Sequence, residues 1–305
     1  MNLQKIFLNA IVGSSLILIF CCSGGKQITV ANNTKIEKEV NYIPYYLKVY
    51  EAKGLFEQGN YERSFEILDS LFRKYEPLNQ FMVDEYKTYL QLAYLSSNKH
   101  IFPKALIKGI EEYGLSDLVF ENDSIMNLVY KESGLDSVQY TTHWSRYLDK
   151  INFGLRDTIK EMVKRDRFKN REDWDTPEGA RRLDSIDSIN SVLLKYIFEE
   201  YGYPGESVIG NGAIALKREE SPISVVISGV LLHTRDSIRQ AYFLPKMLEF
   251  VKQGKAPPLF YARMVDQLEV YHQRPQVYGT YTNVMVKDSS KLDGLRKSIG
   301  LPPIK

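Results

Sequence analysis

This chain of 305 residues has almost no cysteine: Cys21 and Cys22 stand side by side near its start, and no other follows. The rest of the chain therefore forms no disulfide and no thiolate metal site, so packing must stabilise it. Histidine is nearly as scarce. His100, His143, His233 and His272 are the four, and no two stand at ligand spacing, so no metal is expected. An excess of either charge is missing too, with 40 Lys and Arg against 38 Asp and Glu. No basic run is interleaved with aromatics, so nucleic acid is not an expected partner. No Gly-x-Ser-x-Gly elbow occurs, which argues against the usual α/β-hydrolase. Gly210-Asn211-Gly212-Ala213-Ile214-Ala215 imitates a dinucleotide fingerprint. Lys217, Arg218, Glu219, Glu220 and Pro222 follow it, so the helix that would hold a pyrophosphate is not expected, and no cofactor is implied.

What is present is ordinary globular material, 44% hydrophobic and 26% charged, with many rings: 21 Tyr and 14 Phe. Rings at helical spacing are read as core, with a carbohydrate-stacking surface as the alternative. The length suits two domains or one large one.

The first residues carry a different pattern. Lys5 precedes an apolar stretch, Ile6 to Phe20, softened by Asn9, Gly13, Ser14 and Ser15 and ending at Cys21-Cys22-Ser23-Gly24-Gly25. The stretch is short for a span, which needs roughly 20 apolar residues. It resembles the cleaved signal of a bacterial lipoprotein, with residues 1–21 removed and Cys22 lipidated. A cut before Cys21 would leave bulky Phe20 at the cleavage site. A membrane partner through a lipid anchor is implied, on the periplasmic face or at the cell surface. Residues 22–41, polar and aperiodic, read as a tether.

From Tyr42 the period becomes helical. Tyr45, Val49, Ala52 and Phe56 form one stripe, Gly59-Asn60-Tyr61 breaks it, and Phe65, Leu68, Leu71 and Phe72 form the next. The design returns 41 residues on: Ala93 takes the place of Ala52, and Ala105 that of Ser64. Small residues there let paired helices approach. The pattern loosely resembles tetratricopeptide repeats, with Ser97 to Pro103 inserted and Asp117 to Lys131 as a third, capping segment. Residues 42–140 are thus expected to be a helical-hairpin region that offers a site to a protein partner, with plain α-hairpins as the alternative.

Residues 143–305 read as a second, α-rich domain. Ile151, Leu155, Ile159, Met162 and Val163 make one helix stripe. Leu183, Ile186, Ile189, Leu193 and Ile197 make another, which stops at Gly202-Tyr203-Pro204-Gly205. Residues 223–232 are apolar and β-branched, and periodicity does not settle their state. Residues 236–251 read as helix with a kink at Pro245. Residues 276–287 alternate enough to predict one short β-hairpin. The expected class is mainly α.

Three polar clusters stand out. Asp166 lies seven residues after Ile159 and seven before Asp173, so it continues a buried stripe; it is either a paired carboxylate acting as a base or a solvated end of the helix. Asp187 and Asn190 share a face, either to hold a ligand or to cap a neighbour. His233 closes the apolar run, and Asp236 and Gln240 follow at i+3 and i+7. On a continuous helix these three line one face, with His233 as general base or as a satisfied core histidine.

Gly202-Tyr203-Pro204, Val208-Ile209-Gly210, His233, Gln240, Leu244-Pro245, Asp266, Gln276-Val277-Tyr278-Gly279-Thr280, Leu292-Asp293 to Arg296, and Gly300-Leu301-Pro302 occur in that order. Together they resemble an uncharacterised bacterial domain family whose hallmark is Gln-x-Tyr-Gly-Thr-Gln. The resemblance covers about His143 to Lys305 and singles out Asp166, Asp187, Asn190, His233, Gln240, Asp266, Gln276 and Tyr278. Leu232, Gln267 and Tyr281 depart from it, standing where glutamine, arginine and glutamine are usual. Those departures favour a binding protein. The alternative is an envelope hydrolase with His233 as base, oriented by Asp166 or Asp266, and with Asp187, Asn190, Gln240, Gln276 and Tyr278 holding substrate.

Overall fold

The computed structural model describes residues 40–78, 80, 84–167, 175–221 and 223–304. The lipoprotein-type signal, Cys22, the tether up to residue 39, and Asp173 lie outside the described residues. Residues 39–305 form a compact unit of their own, and it is mainly α. No helix among the described residues is long and apolar enough to cross a membrane.

Two helical hairpins come first: α1 (Ile43–Glu57) with α2 (Tyr61–Phe72), and α3 (Glu85–Leu95) with α4 (Phe102–Tyr113). The expected small residues do bring helices together. Ala52 and Ala93 are fully buried, and the Ser64 hydroxyl donates to the Ala52 carbonyl at 2.7 Å. Rings fill the interior, with Phe65 stacked on Tyr89 at 5.2 Å between centroids and Tyr86 against Tyr113 at 4.4 Å. Gly114 ends α4 in the left-handed region, at φ 64°, and a Cβ there would sit 2.4 Å from the Tyr147 ring. Both conditions call for glycine.

The predicted third segment is two helices, α5 (Asp117–Asn122) and α6 (Ser124–Ser133). They divide at Asp123, whose carboxylate accepts the amides of Ile125 and Met126. A capping box of Asp136 and Gln139 opens α7 (Ser137–Asp149). Next come α8 (Phe153–Arg167) and the long α9 (Pro177–Glu200), the latter capped by Thr176. The short α10 (Glu206–Ile209) and α11 (Gly212–Lys217) follow, so a helix of six residues does follow the glycine pair, opened by Asn211 capping Ala213. The β-branched run resolves into a turn and α12 (Ser228–Leu232).

The expected continuous face of His233, Asp236 and Gln240 does not form. His233 is the C-terminal cap of α12, and α13 (Asp236–Ile238) begins only after Thr234 and an extended Arg235. From α13 the chain passes through a π-helical turn, Arg239–Phe243, into α14 (Leu244–Lys252). Pro245 has no amide to donate and crowds the carbonyl four residues back. A π turn directly before it absorbs that mismatch.

The predicted β-hairpin of residues 276–287 is also corrected. After α15 (Pro258–Tyr271) the chain forms a loop with one isolated parallel bridge, Gln276 to Val286, before α16 (Leu292–Ser298). Alternation did not become a ladder because side chains take the amides that strands would share. Asp266 accepts Val277, Tyr278 and Thr280, and Gln276 accepts Tyr281. A main core runs from Tyr45 to Met264, and Ala262, Tyr278, Ile299 and Leu301 form a smaller one under this loop.

Candidate functional site

α8, α9 and α12 pack on one another, and α12 also meets α15. Asp166 stands in the last turn of α8 on the buried face predicted by its stripe, and the helix does not fray before it. Its carboxylate faces the cap of α12, and His233 Nδ1 lies 2.9 and 3.0 Å from its two oxygens. Gly229 of α12 lies against the same carboxylate, where a Cβ would stand at ordinary contact distance, 3.4 Å from Asp166 Oδ2. The Asp166 side chain is 6% exposed and that of His233 33%. An ionised carboxylate on Nδ1 holds the proton there and leaves Nε2, on a part-exposed ring, as the basic nitrogen. The pair can therefore accept a proton or bind a donor from solvent.

His233 is also held through its backbone. Arg239, 2% exposed, donates to the carbonyl of Leu232 and, at 2.6 Å, to that of Thr234. Gln267 Oε1 accepts from the same guanidinium at 2.9 Å, replacing the carboxylate that a buried arginine usually meets. Burial lowers the Arg239 pKa, and Asp236, Tyr271, Tyr281 and Asp187 act in the other direction. Sequence reasoning missed Arg239 and met Gln267 only as a departure from the family pattern. A signal existed for the first: Arg239 shares the period of Phe243, Met247 and Phe250, so a cation continues an apolar stripe.

The other expected site residues divide between this place and the C-terminal loop. Asn190, 1% exposed, reaches the Met162 carbonyl of α8 with Nδ2 at 3.4 Å, one turn before Asp166. Asp187 is half-buried a turn earlier on α9, and Gln240 is exposed. Asp266 is fully buried in α15, and its oxygens accept three amides and the Thr280 hydroxyl at 2.7 to 2.9 Å. Gln276 bonds the carbonyls of Tyr281 and Val284 and the amide of Tyr281. Tyr278 packs on Tyr261, and its carbonyl takes Arg296 Nη1 at 2.6 Å. These three close a loop and form no hydrogen bond with His233. Among the described residues no three His, Cys, Asp or Glu side chains gather as a metal site.

A cavity of about 460 Å³ opens elsewhere, between α1, α3 and the start of α15. Tyr46, Tyr50, Thr88, Gln91, Leu259 and Phe260 line it, with Glu85 at its edge. Glu85 is 3% exposed, and its Oε1 accepts the Tyr45 hydroxyl at 2.8 Å and the Leu78 amide at 3.2 Å. Burial pushes its carboxyl up to about 8, against those stabilising bonds.

No family model matches the chain, and no curated protein or solved structure proves similar to it.

Proposed function

We propose that this chain is a lipid-anchored protein of the bacterial envelope that binds a partner through its helical-hairpin half. The observation that carries the reading is the 460 Å³ cavity walled by rings and prolines, a volume within the range of ligand sites. α1 and α3 lead the two hairpins, so the cavity lies where the repeat design would place a partner, with the Pro257-Pro258-Leu259-Phe260 segment as its far wall. Apolar walls with Thr88, Gln91 and the charged Lys53, Asp84 and Lys87 among them suit a short peptide segment. A library of labelled octapeptides, read by fluorescence polarisation, tests this. Binders should weaken at least about tenfold, roughly 1.4 kcal/mol, with Tyr50→Ala or a cavity-filling Thr88→Trp, and should be unaffected by His233→Ala. A library without binders sinks the reading.

A second reading rests on the Asp166–His233 pair, whose geometry suits a general base for an envelope hydrolase. It ranks lower because Asp266, Gln276 and Tyr278 turn their polar atoms inward, to the loop. Incubation with purified peptidoglycan and envelope polysaccharide decides it. Bond cleavage that vanishes in a folded His233→Ala variant would promote the enzyme.

A further inference from the structure

α9 is 24 residues long, and among the described residues only one side of it is buried. Leu183, Asn190, Leu194, Ile197 and Phe198 are buried. The opposite side is apolar at its centre: Ile189, Val192 and Tyr196 are 53%, 68% and 52% exposed. Their spacing places them on one stripe. Single exposed apolar residues need no explanation, whereas three aligned on a long helix mark a contact surface.

The ends of that stripe carry opposite charges. Arg181 and Arg182 lie towards its start and Glu199 and Glu200 at its end, all exposed. The two glutamates sit in the last turn, where the helix's own carbonyl ends disfavour anions. The arrangement is also symmetrical in sequence. About the point midway between Asn190 and Ser191, Ile189 mirrors Val192, Ser185 mirrors Tyr196, Arg182 mirrors Glu199 and Arg181 mirrors Glu200.

We propose that the outer face of α9 is a homodimer interface, on which two copies of this chain pack antiparallel about a two-fold axis at Asn190–Ser191. In that arrangement both copies present the same surface to each other, as an isologous contact requires. Ile189 of one copy lies on Val192 of the other at the centre, and the tyrosines cover the small Ser185 positions. At both ends Arg181 of one copy lies beside Glu199 of the other on one flank, and Arg182 beside Glu200 on the other flank. Glu199 already bonds Lys195, and Arg182 is engaged within its own chain, so the arginine and glutamate pairs select as blocks of charge. The charges fix direction, since a parallel pair would set arginine on arginine. The antiparallel pair also brings each glutamate end beside a helix N-terminus, relieving the unfavourable placement within one chain.

Sedimentation velocity on the compact unit of residues 39–305, across a hundredfold range of concentration, tests the proposal. The unit should dimerise reversibly, and Val192→Glu should leave it monomeric. The double variants Arg181→Glu/Arg182→Glu and Glu199→Arg/Glu200→Arg should each weaken association by about tenfold. Mixing those two variants should restore it, because both end pairs regain opposite signs; the rescue also shows that each variant is folded. A unit that stays monomeric throughout overturns the proposal. So does a dimer indifferent to Val192→Glu and to both charge reversals. A monomer that floats with phosphatidylethanolamine–phosphatidylglycerol vesicles and loses them through Val192→Glu would assign the face to lipid, and overturns it equally.

Discussion

The first two hairpins and the C-terminal loop are both buried and ordered, but different forces hold them. In α1 to α4 the contacts between helices are rings on rings and alanine under carbonyl, as with Phe65 on Tyr89 and Ala52 beside Ser64. In residues 276–302 a few buried polar side chains hold bare backbone: Asp266, Gln276, and Arg296, which clasps the Tyr278 and Pro302 carbonyls at 2.6 Å each. Apolar packing is spread over many weak contacts and tolerates a change of shape. A buried polar clamp concentrates its stabilisation in a few atoms, and its loss leaves partners unpaired.

The largest effect should come from breaking a clamp. Asp266→Ala would orphan three amides and a hydroxyl in a buried loop, with an expected loss of about 4 kcal/mol in urea unfolding. Hydrogen exchange should localise the damage to residues 276–281. A loss below 1 kcal/mol would mean that the loop repacks freely, and the contrast between the regions would collapse. Next comes Arg239→Met, which keeps the stem and removes the donors to Leu232 and Thr234. About 3 kcal/mol is expected, together with a loosened His233 ring, visible as altered imidazole shifts in NMR.

A third change tests the exception on the apolar side. Glu85 is a buried carboxylate at the start of α3, and burial lifts its carboxyl from about 4.5 in the unfolded chain to about 8. Between those values the folded chain binds the extra proton, so stability falls as pH rises through that window. Glu85→Gln keeps an acceptor for Tyr45 and Leu78 and should remove the slope. The gain should grow as pH rises through that window and be absent below pH 4.5. A variant whose stability tracks the parent at every pH would place the Glu85 pKa near its ordinary value.

What could be read from the sequence divides along the same line. The stripes of Tyr45, Ala52, Phe65 and Leu68 locate α1 and α2 because apolar burial repeats every three to four residues, and local order suffices to see it. Asp166 was legible for the same reason, as a carboxylate on a buried stripe. Its pairing with His233 stayed open between Asp166 and Asp266, because His233 lies 67 residues away and no local pattern encodes the contact. The loop failed in the opposite sense. Its alternation predicts strands, yet Asp266, 11 to 14 residues upstream, takes the amides that a hairpin would use. Arg239 carried a readable mark, a cation within an apolar stripe, whereas Gln267, which replaces its counter-ion, stood out only as a departure from the family pattern.

The smallest effect, and the sharpest comparison, comes from placing one residue in both regions. Phe65 and Gln276 are each more than nine-tenths buried, and leucine fits either space roughly. Phe65→Leu gives up the stack on Tyr89 and a little volume, for a loss of about 1 kcal/mol. Gln276→Leu removes the side-chain bonds to Tyr281 and Val284 and strands their polar atoms in a buried loop, for a loss of about 3 kcal/mol. The difference between the two, measured in one set of urea titrations with equal m-values, isolates polar satisfaction from size, because the incoming side chain is the same. Equal losses would show that volume alone governs both regions. The C-terminal loop would then be held by Tyr278, Ile299 and Leu301 beneath it rather than by the clamps across it.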